Sequence, residues 1–182
     1  WLPTYWDAPY LNKPPGLHLP ASLPLLPWMS ASEVPPAWAV RLVPALAASA
    51  VVPLAGLITR QLNHKQQGAA VAAAAIALTL LPLMRHGRLA MLDGALVSAS
   101  GLLWWQLLLC RQSRGWRLLG CSLLSGLACS ALLLLKAPLV IPVLGIGLVL
   151  LLLERQLGAQ QWLVLSLGLC LGLLPGIGWH LF

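Results

Sequence analysis

Between Leu118 and Leu153 the only charged residue is Lys136, with Pro138 two positions on. Such a run is long enough to cross a hydrocarbon core of roughly 30 Å twice at about 1.5 Å per helical residue, so Lys136 reads as the joint between two hairpinned spans. Charges punctuate the rest of the chain in the same way. From Trp38 onward they leave six apolar stretches: Trp38–Thr59, Ala69–Met84, Leu89–Cys110, Leu118–Leu135, Ala137–Leu153 and Trp162–Trp179. Each is near the 17 to 25 residues, roughly, that a spanning helix needs. The second is the shortest, and it is expected to tilt little or to extend through Arg85 by snorkelling.

Composition agrees with lipid as the solvent. Of 182 residues, 59% are hydrophobic and 8% charged, with a mean hydropathy of +0.85, where soluble domains carry about a quarter charged residues. Fifteen prolines and sixteen glycines follow no fixed period, which excludes collagen and solenoid repeats. The net charge of +7 is spread over single residues and short joints. It therefore fits membrane orientation, and no nucleic acid partner is expected.

Residues 1–37 contain nine prolines, which preclude a spanning helix there. This segment is expected to be an external proline-rich loop with short interfacial helices, its Trp1, Tyr5, Trp6, Tyr10 and Trp28 suited to the headgroup zone. Residues 38–182 form the second unit, an all-α bundle of about six transmembrane helices. The chain starts at Trp1 with no methionine or signal sequence, so it reads as an internal piece of a longer protein, lacking an upstream span and a downstream soluble domain.

Alternation of six spans puts Arg60, Lys65, Arg111, Arg114, Arg117 and Arg155 on one face, assigned to the cytoplasm because they sit in short loops. The opposite face gathers Lys13, Arg41, Arg85, Arg88 and Lys136 with the acids Asp7, Glu33 and Asp93. That mixed-charge face is the candidate active face.

Asp93 falls four residues into the third stretch, where an acid is either a helix-start residue favoured by the macrodipole or a functional group. Lys136 either snorkels to the headgroups or holds an anion such as a lipid phosphate. In the string Tyr10-Leu-Asn-Lys13-Pro14-Pro15-Gly16, two prolines would hold the Lys13 ammonium in a defined place; the alternative is a generic turn with a solvated lysine. The four cysteines, all within stretches and without a Cys-x-x-Cys pair, read as packing residues. Of the histidines only His86 lies on the candidate face. Gly168, Gly172 and Gly176 repeat every four residues and mark a close helix contact. No Walker loop, Gly-x-Ser-x-Gly or dinucleotide fingerprint is present.

Four strings in order resemble family 39 glycosyltransferases, the superfamily of protein O-mannosyltransferases and the bacterial aminoarabinose transferases that modify lipid A. They are Trp1-Leu-Pro-Thr with Tyr10-Leu-Asn-Lys-Pro-Pro, Glu33 through Trp38-Ala-Val-Arg41-Leu, Arg88-Leu-Ala-Met-Leu-Asp93, and Ser125-Gly-Leu-Ala through Leu135-Lys136. The resemblance implies a GT-C fold and an enzyme of the plasma (inner) membrane. It would transfer a sugar from a polyprenyl-phosphate donor to an acceptor hydroxyl of a protein, lipid or glycan on the non-cytoplasmic side. In that family the general base belongs to an Asp-Glu pair some twenty residues before the Lys-Pro-Pro string, so this piece alone is expected to be inactive. Lys13, Arg85, Arg88 and Lys136 would bind the donor phosphate, with Asp93 orienting Arg88 or the sugar and Asp7 the one loop acid that could replace the base. No cofactor or metal site is implied. Asn12 stands where an acid or histidine usually precedes the lysine, Gly16 where leucine is common, and Leu135 where a small polar residue precedes Lys136. The alternatives are a catalytically incomplete polyprenyl-phosphate-binding protein or a transporter component; apolar mid-span positions count against the latter.

Overall fold

The computed structural model describes residues 4–5, 8–9, 15–28, 34–63, 66–87, 89, 91–154 and 157–181. Two-residue strands β1 (Thr4–Tyr5) and β2 (Ala8–Pro9) pair antiparallel. A short helix α1 (His18–Ser22) runs into a 3-10 turn at Leu23–Trp28. Then come α2 (Ala37–Ser49), α3 (Val51–Leu62), α4 (Gln67–Thr79), α5 (Leu81–Gly87) and α6 (Asp93–Cys110). The chain continues through α7 (Gly115–Lys136), a 3-10 turn at Ala137–Leu139, α8 (Val140–Glu154) and α9 (Ala159–Leu181). Helices dominate because lipid offers the backbone no hydrogen-bond partner, and a helix pairs its own amides and carbonyls.

Four helical stretches are long and apolar enough to cross a membrane: Ala37–Leu62, Asp93–Cys110, Gly115–Glu154 and Ala159–Leu181. A fifth forms if the pair Gly68–Thr79 and Leu81–Gly87, bent by 55°, is one broken span. The stretch Gly115–Glu154 turns back on itself at Lys136, because Glu154 at its far end reaches Arg111, just before its start, with a 2.9 Å ion pair. The six expected stretches are thus all present as segments, two of them joined in one continuous helical run and two interrupted, Trp38–Thr59 between α2 and α3 and Ala69–Met84 at the 55° bend.

The breaks follow from proline. Pro53 has no amide to give the Ser49 carbonyl, and α2 passes into α3 just ahead of it. Leu80 is extended (ψ 107°) where α4 gives way to α5, and Pro82 follows within two residues.

Neighbouring contacts give each segment its direction. Gly94 meets Ala48 and Gly101 meets Leu54, so α2, α3 and α6 run the same way. Gly56 meets Ala70, returning α4 in the opposite sense. Ser122, Gly126 and Ser130 of α7 meet Gly168, Gly172 and Gly176 of α9 in register, so these two helices are parallel. A Cβ at Gly126 would lie 2.6 Å from the Leu169 carbonyl oxygen, so the two backbones touch. The expected glycine contact on the last span is this seam. Core side chains Leu103, Cys129, Leu132 and Leu165 are wholly buried around it, and Ser122 satisfies its buried hydroxyl by donating to Leu118. The N-terminus of α6 and the C-terminus of α7 therefore share one end of the bundle, called here the upper end.

Candidate functional site

Asp93 is the first residue of α6, not an acid four residues inside a span: Met91 and Leu92 stand outside the helix. Its exposed carboxylate sits where unpaired amides make the helix end positive. Gly94 allows this end to press against α2, since a Cβ there would lie 2.6 Å from the Cβ of Ala48. Lys136 is the last residue of α7 and is exposed, its ammonium suited to the negative end of that helix. Its backbone (φ −161°, ψ 89°) makes the turn into α8. Neither residue has an ion-pair partner among the described residues.

Both side chains line one cavity of about 610 Å³ between α3, α6 and the start of α8. Its further lining includes Ile58, Leu96, Ser100, Trp104, Leu139 and Val143, so below the two charged groups the walls are largely apolar. Asp93, Leu96, Ser100 and Trp104 share one face of α6 at helical spacing, and from Asp93 to Trp104 that face runs about 16 Å. At the lower end, Trp104 Nε1 donates to the Val143 carbonyl at 2.9 Å and ties α6 to α8.

A second cavity of about 470 Å³ lies on the α5 side and also reaches Asp93, together with Val51, Leu80, Leu83, His86 and Val97. His86 Nδ1 lies 2.9 Å from the Pro82 carbonyl, which can only accept, so Nδ1 carries the hydrogen. Arg85, in the last turn of α5, is exposed and lines neither cavity.

The end of the proline-rich string is anchored at the same end of the bundle. Gly16 N–H donates to the Leu134 carbonyl at 2.9 Å, one of the last four carbonyls of α7, which have no partner within the helix. A Cβ on residue 16 would lie 2.5 Å from that oxygen, so the approach requires glycine. His180 Nε2 reaches the adjacent Leu133 carbonyl at 3.4 Å.

Of the expected site residues, Asp93 and Lys136 come together at one cavity and Arg85 stands apart from it. Asp7, Lys13 and Arg88, with Glu33, lie outside the described residues. Sequence reasoning did not single out Ser100, Trp104 or Val143. The signal was available for the first two, in the stripe that descends α6 from Asp93 at intervals of three and four.

An apolar helical bundle that brings a carboxylate and an ammonium to the mouth of an apolar cavity defines a polytopic membrane protein. Residues 25–181 match the family model for dolichyl-phosphate-mannose-protein mannosyltransferase. The chain belongs to that family, a family of membrane glycosyltransferases that use lipid-linked sugar donors. The match begins after the Lys13 string and covers Arg85, Arg88, Asp93 and Lys136. No curated protein and no solved structure matches the chain.

Proposed function

We propose that this protein moves a sugar from a polyprenyl-phosphate donor to an acceptor hydroxyl at the non-cytoplasmic face of the plasma (inner) membrane. The observation that carries the reading is the shared cavity: Lys136 and Asp93 at its mouth, apolar wall beneath them. That division suits an amphiphile with an anionic phosphate and a hydrocarbon tail.

In the transfer, the acceptor oxygen bonds to the anomeric carbon of the sugar. The bond from that carbon to the phosphate oxygen breaks, its electron pair stays with the departing lipid phosphate, and the acceptor proton passes to a carboxylate. Lys136 stabilises the charge that builds on the phosphate, and the lipid tail lies along the face of α6 that ends at Trp104. Asp93, across the same mouth, orients the sugar hydroxyls. Lys13 and Arg88 supply further positive charge, and the proline-rich loop, residues 1–37, forms the external unit over the bundle of residues 38–182.

The test is transfer of labelled sugar from a purified polyprenyl-phosphate donor by the natural full-length protein. Lys136→Met and Asp93→Asn are each expected to lower kcat/KM by about a hundredfold with the folded yield unchanged. Lys13→Ala is expected to act in the same direction. Unchanged turnover in Lys136→Met and Asp93→Asn would remove the assignment.

A further inference from the structure

At the upper end of α7 the carbonyls of residues 133–136 have no partner within the helix. Their dipoles put partial negative charge there, and a lysine in the last turn gains by turning its ammonium back onto them. Lys136 is such a lysine, yet its side chain lines the cavity it shares with Asp93. Two of the four carbonyls are held by residues from distant parts of the chain. Gly16 N–H donates to the Leu134 carbonyl at 2.9 Å, an approach that a Cβ would block. His180 Nε2 lies 3.4 Å from the Leu133 carbonyl oxygen, and because a carbonyl can only accept, Nε2 carries the hydrogen. The seam delivers His180 to this place. Gly176 of α9 lies against Ser130 of α7, and about one helical turn further along the two parallel helices stand His180 and Leu133.

We infer that Gly16 and His180 are positioning residues for Lys136. By occupying the Leu134 and Leu133 carbonyls, they reduce what the ammonium gains from capping its own helix and leave it free to hold an anionic phosphate at the cavity mouth. The inference rests on the donor reading above and deepens it, since it names what keeps the phosphate-binding group ready. An ammonium bonded to helix carbonyls would have to give up those bonds before taking a phosphate, and that exchange lowers affinity. Gly16 belongs to the proline-rich loop and His180 to the last turn of α9, so two elements far apart in the chain act on the phosphate through one lysine.

The experiment measures equilibrium binding of labelled farnesyl phosphate, a short isoprenoid phosphate, to the natural full-length protein in detergent. Lys136→Met is expected to weaken binding about tenfold, and Gly16→Ala and His180→Ala about threefold each, in proportion to one hydrogen bond. His180→Gln, whose amide N–H can donate to the same carbonyl, is expected to recover most of the loss. Action through Lys136 has a signature that a general loss of stability lacks. In the Lys136→Met protein, Gly16→Ala and His180→Ala are each expected to leave binding within about 1.5-fold. A threefold loss that persists in that background would overturn the inference, as would unchanged binding in Gly16→Ala or His180→Ala, or a His180→Gln protein as weak as His180→Ala; each leaves the donor reading standing if Lys136→Met itself binds weakly. Equal binding by the wild type and Lys136→Met would overturn the donor reading and this inference with it.

Discussion

Helix α7 meets α9, and α6 meets α3 and α8, in the same apolar solvent, yet the first contact is closed and the second is hollow. Along α7 and α9, Ser122, Gly126 and Ser130 face Gly168, Gly172 and Gly176, and backbone lies against backbone. Between α3, α6 and α8 the lining residues include Ile58, Val97, Trp104 and Val143, and a cavity of about 610 Å³ lies among them. Lipid tails are as apolar as leucine, so helices gain little from hiding leucine from lipid and much from close contact. Small residues achieve that contact, and branched or aromatic residues without complementary partners leave room. The molecule is thus divided into a seam that holds it together and a flank with space for another molecule.

The largest expected break of this contrast is at the seam. Gly126→Leu would drive its side chain into Leu169 and Gly172, and it is expected to cost about 3 kcal/mol or more, seen as loss of folded protein or a large fall in Tm in detergent. Gly120→Leu on the same helix, with nothing within 4 Å of its Cβ position, serves as the comparison and is expected to leave Tm nearly unchanged. Equal loss of stability at the two positions would mean that close approach at Gly126 is not what governs α7.

On the hollow flank the expected response is reversed. Ser100→Phe would place a ring in the cavity shared by Asp93 and Lys136, raising the donor KM about tenfold while Tm stays within a few degrees. A fall in Tm without change in KM would show that the cavity is a packing feature.

The smallest effect is expected where the loop meets the end of α7. Gly16→Ala cannot keep this approach, because its Cβ would lie 2.5 Å from the Leu134 carbonyl oxygen; the loop lifts away and one backbone hydrogen bond is lost, at about 1 kcal/mol. Limited proteolysis is the sensitive readout: cleavage within residues 15–36 should quicken several-fold, with the helical bundle left intact.

Much of this architecture was legible before any coordinates. The glycine triplet on α9 announced a close contact, though its complement, Ser122, Gly126 and Ser130 on α7, went unremarked despite the same spacing of four. Lys136 as a hairpin joint follows from one charge in a long apolar run, and the ion pair between Arg111 and Glu154 bears out the reversal. Asp93 was legible as an acid near a helix start, but the start itself was placed too early, because Leu89 and Met91 look as apolar as the helix they precede. The sharp bend at Leu80 was not anticipated, since Pro82 sits inside a stretch whose hydropathy never falters. Parity groups Arg85 with Asp93 by membrane face but does not say which cavity a side chain lines, and Arg85 lines neither of the two that Asp93 borders.

By itself the sequence determined that the chain lives in lipid, where its apolar segments begin and end to within a few residues, and that Asp93 and Lys136 belong to one end of the bundle. Those properties depend on local hydropathy and on alternation, and each can be counted along the chain. Only the tertiary structure decided that α7 and α9 close backbone to backbone while α3, α6 and α8 leave a cavity between them, that Asp93 and Lys136 line that cavity together, and that His86 lines a second one beside the same Asp93. These depend on which faces meet and on the volumes left between them, quantities set by packing between segments far apart in the chain.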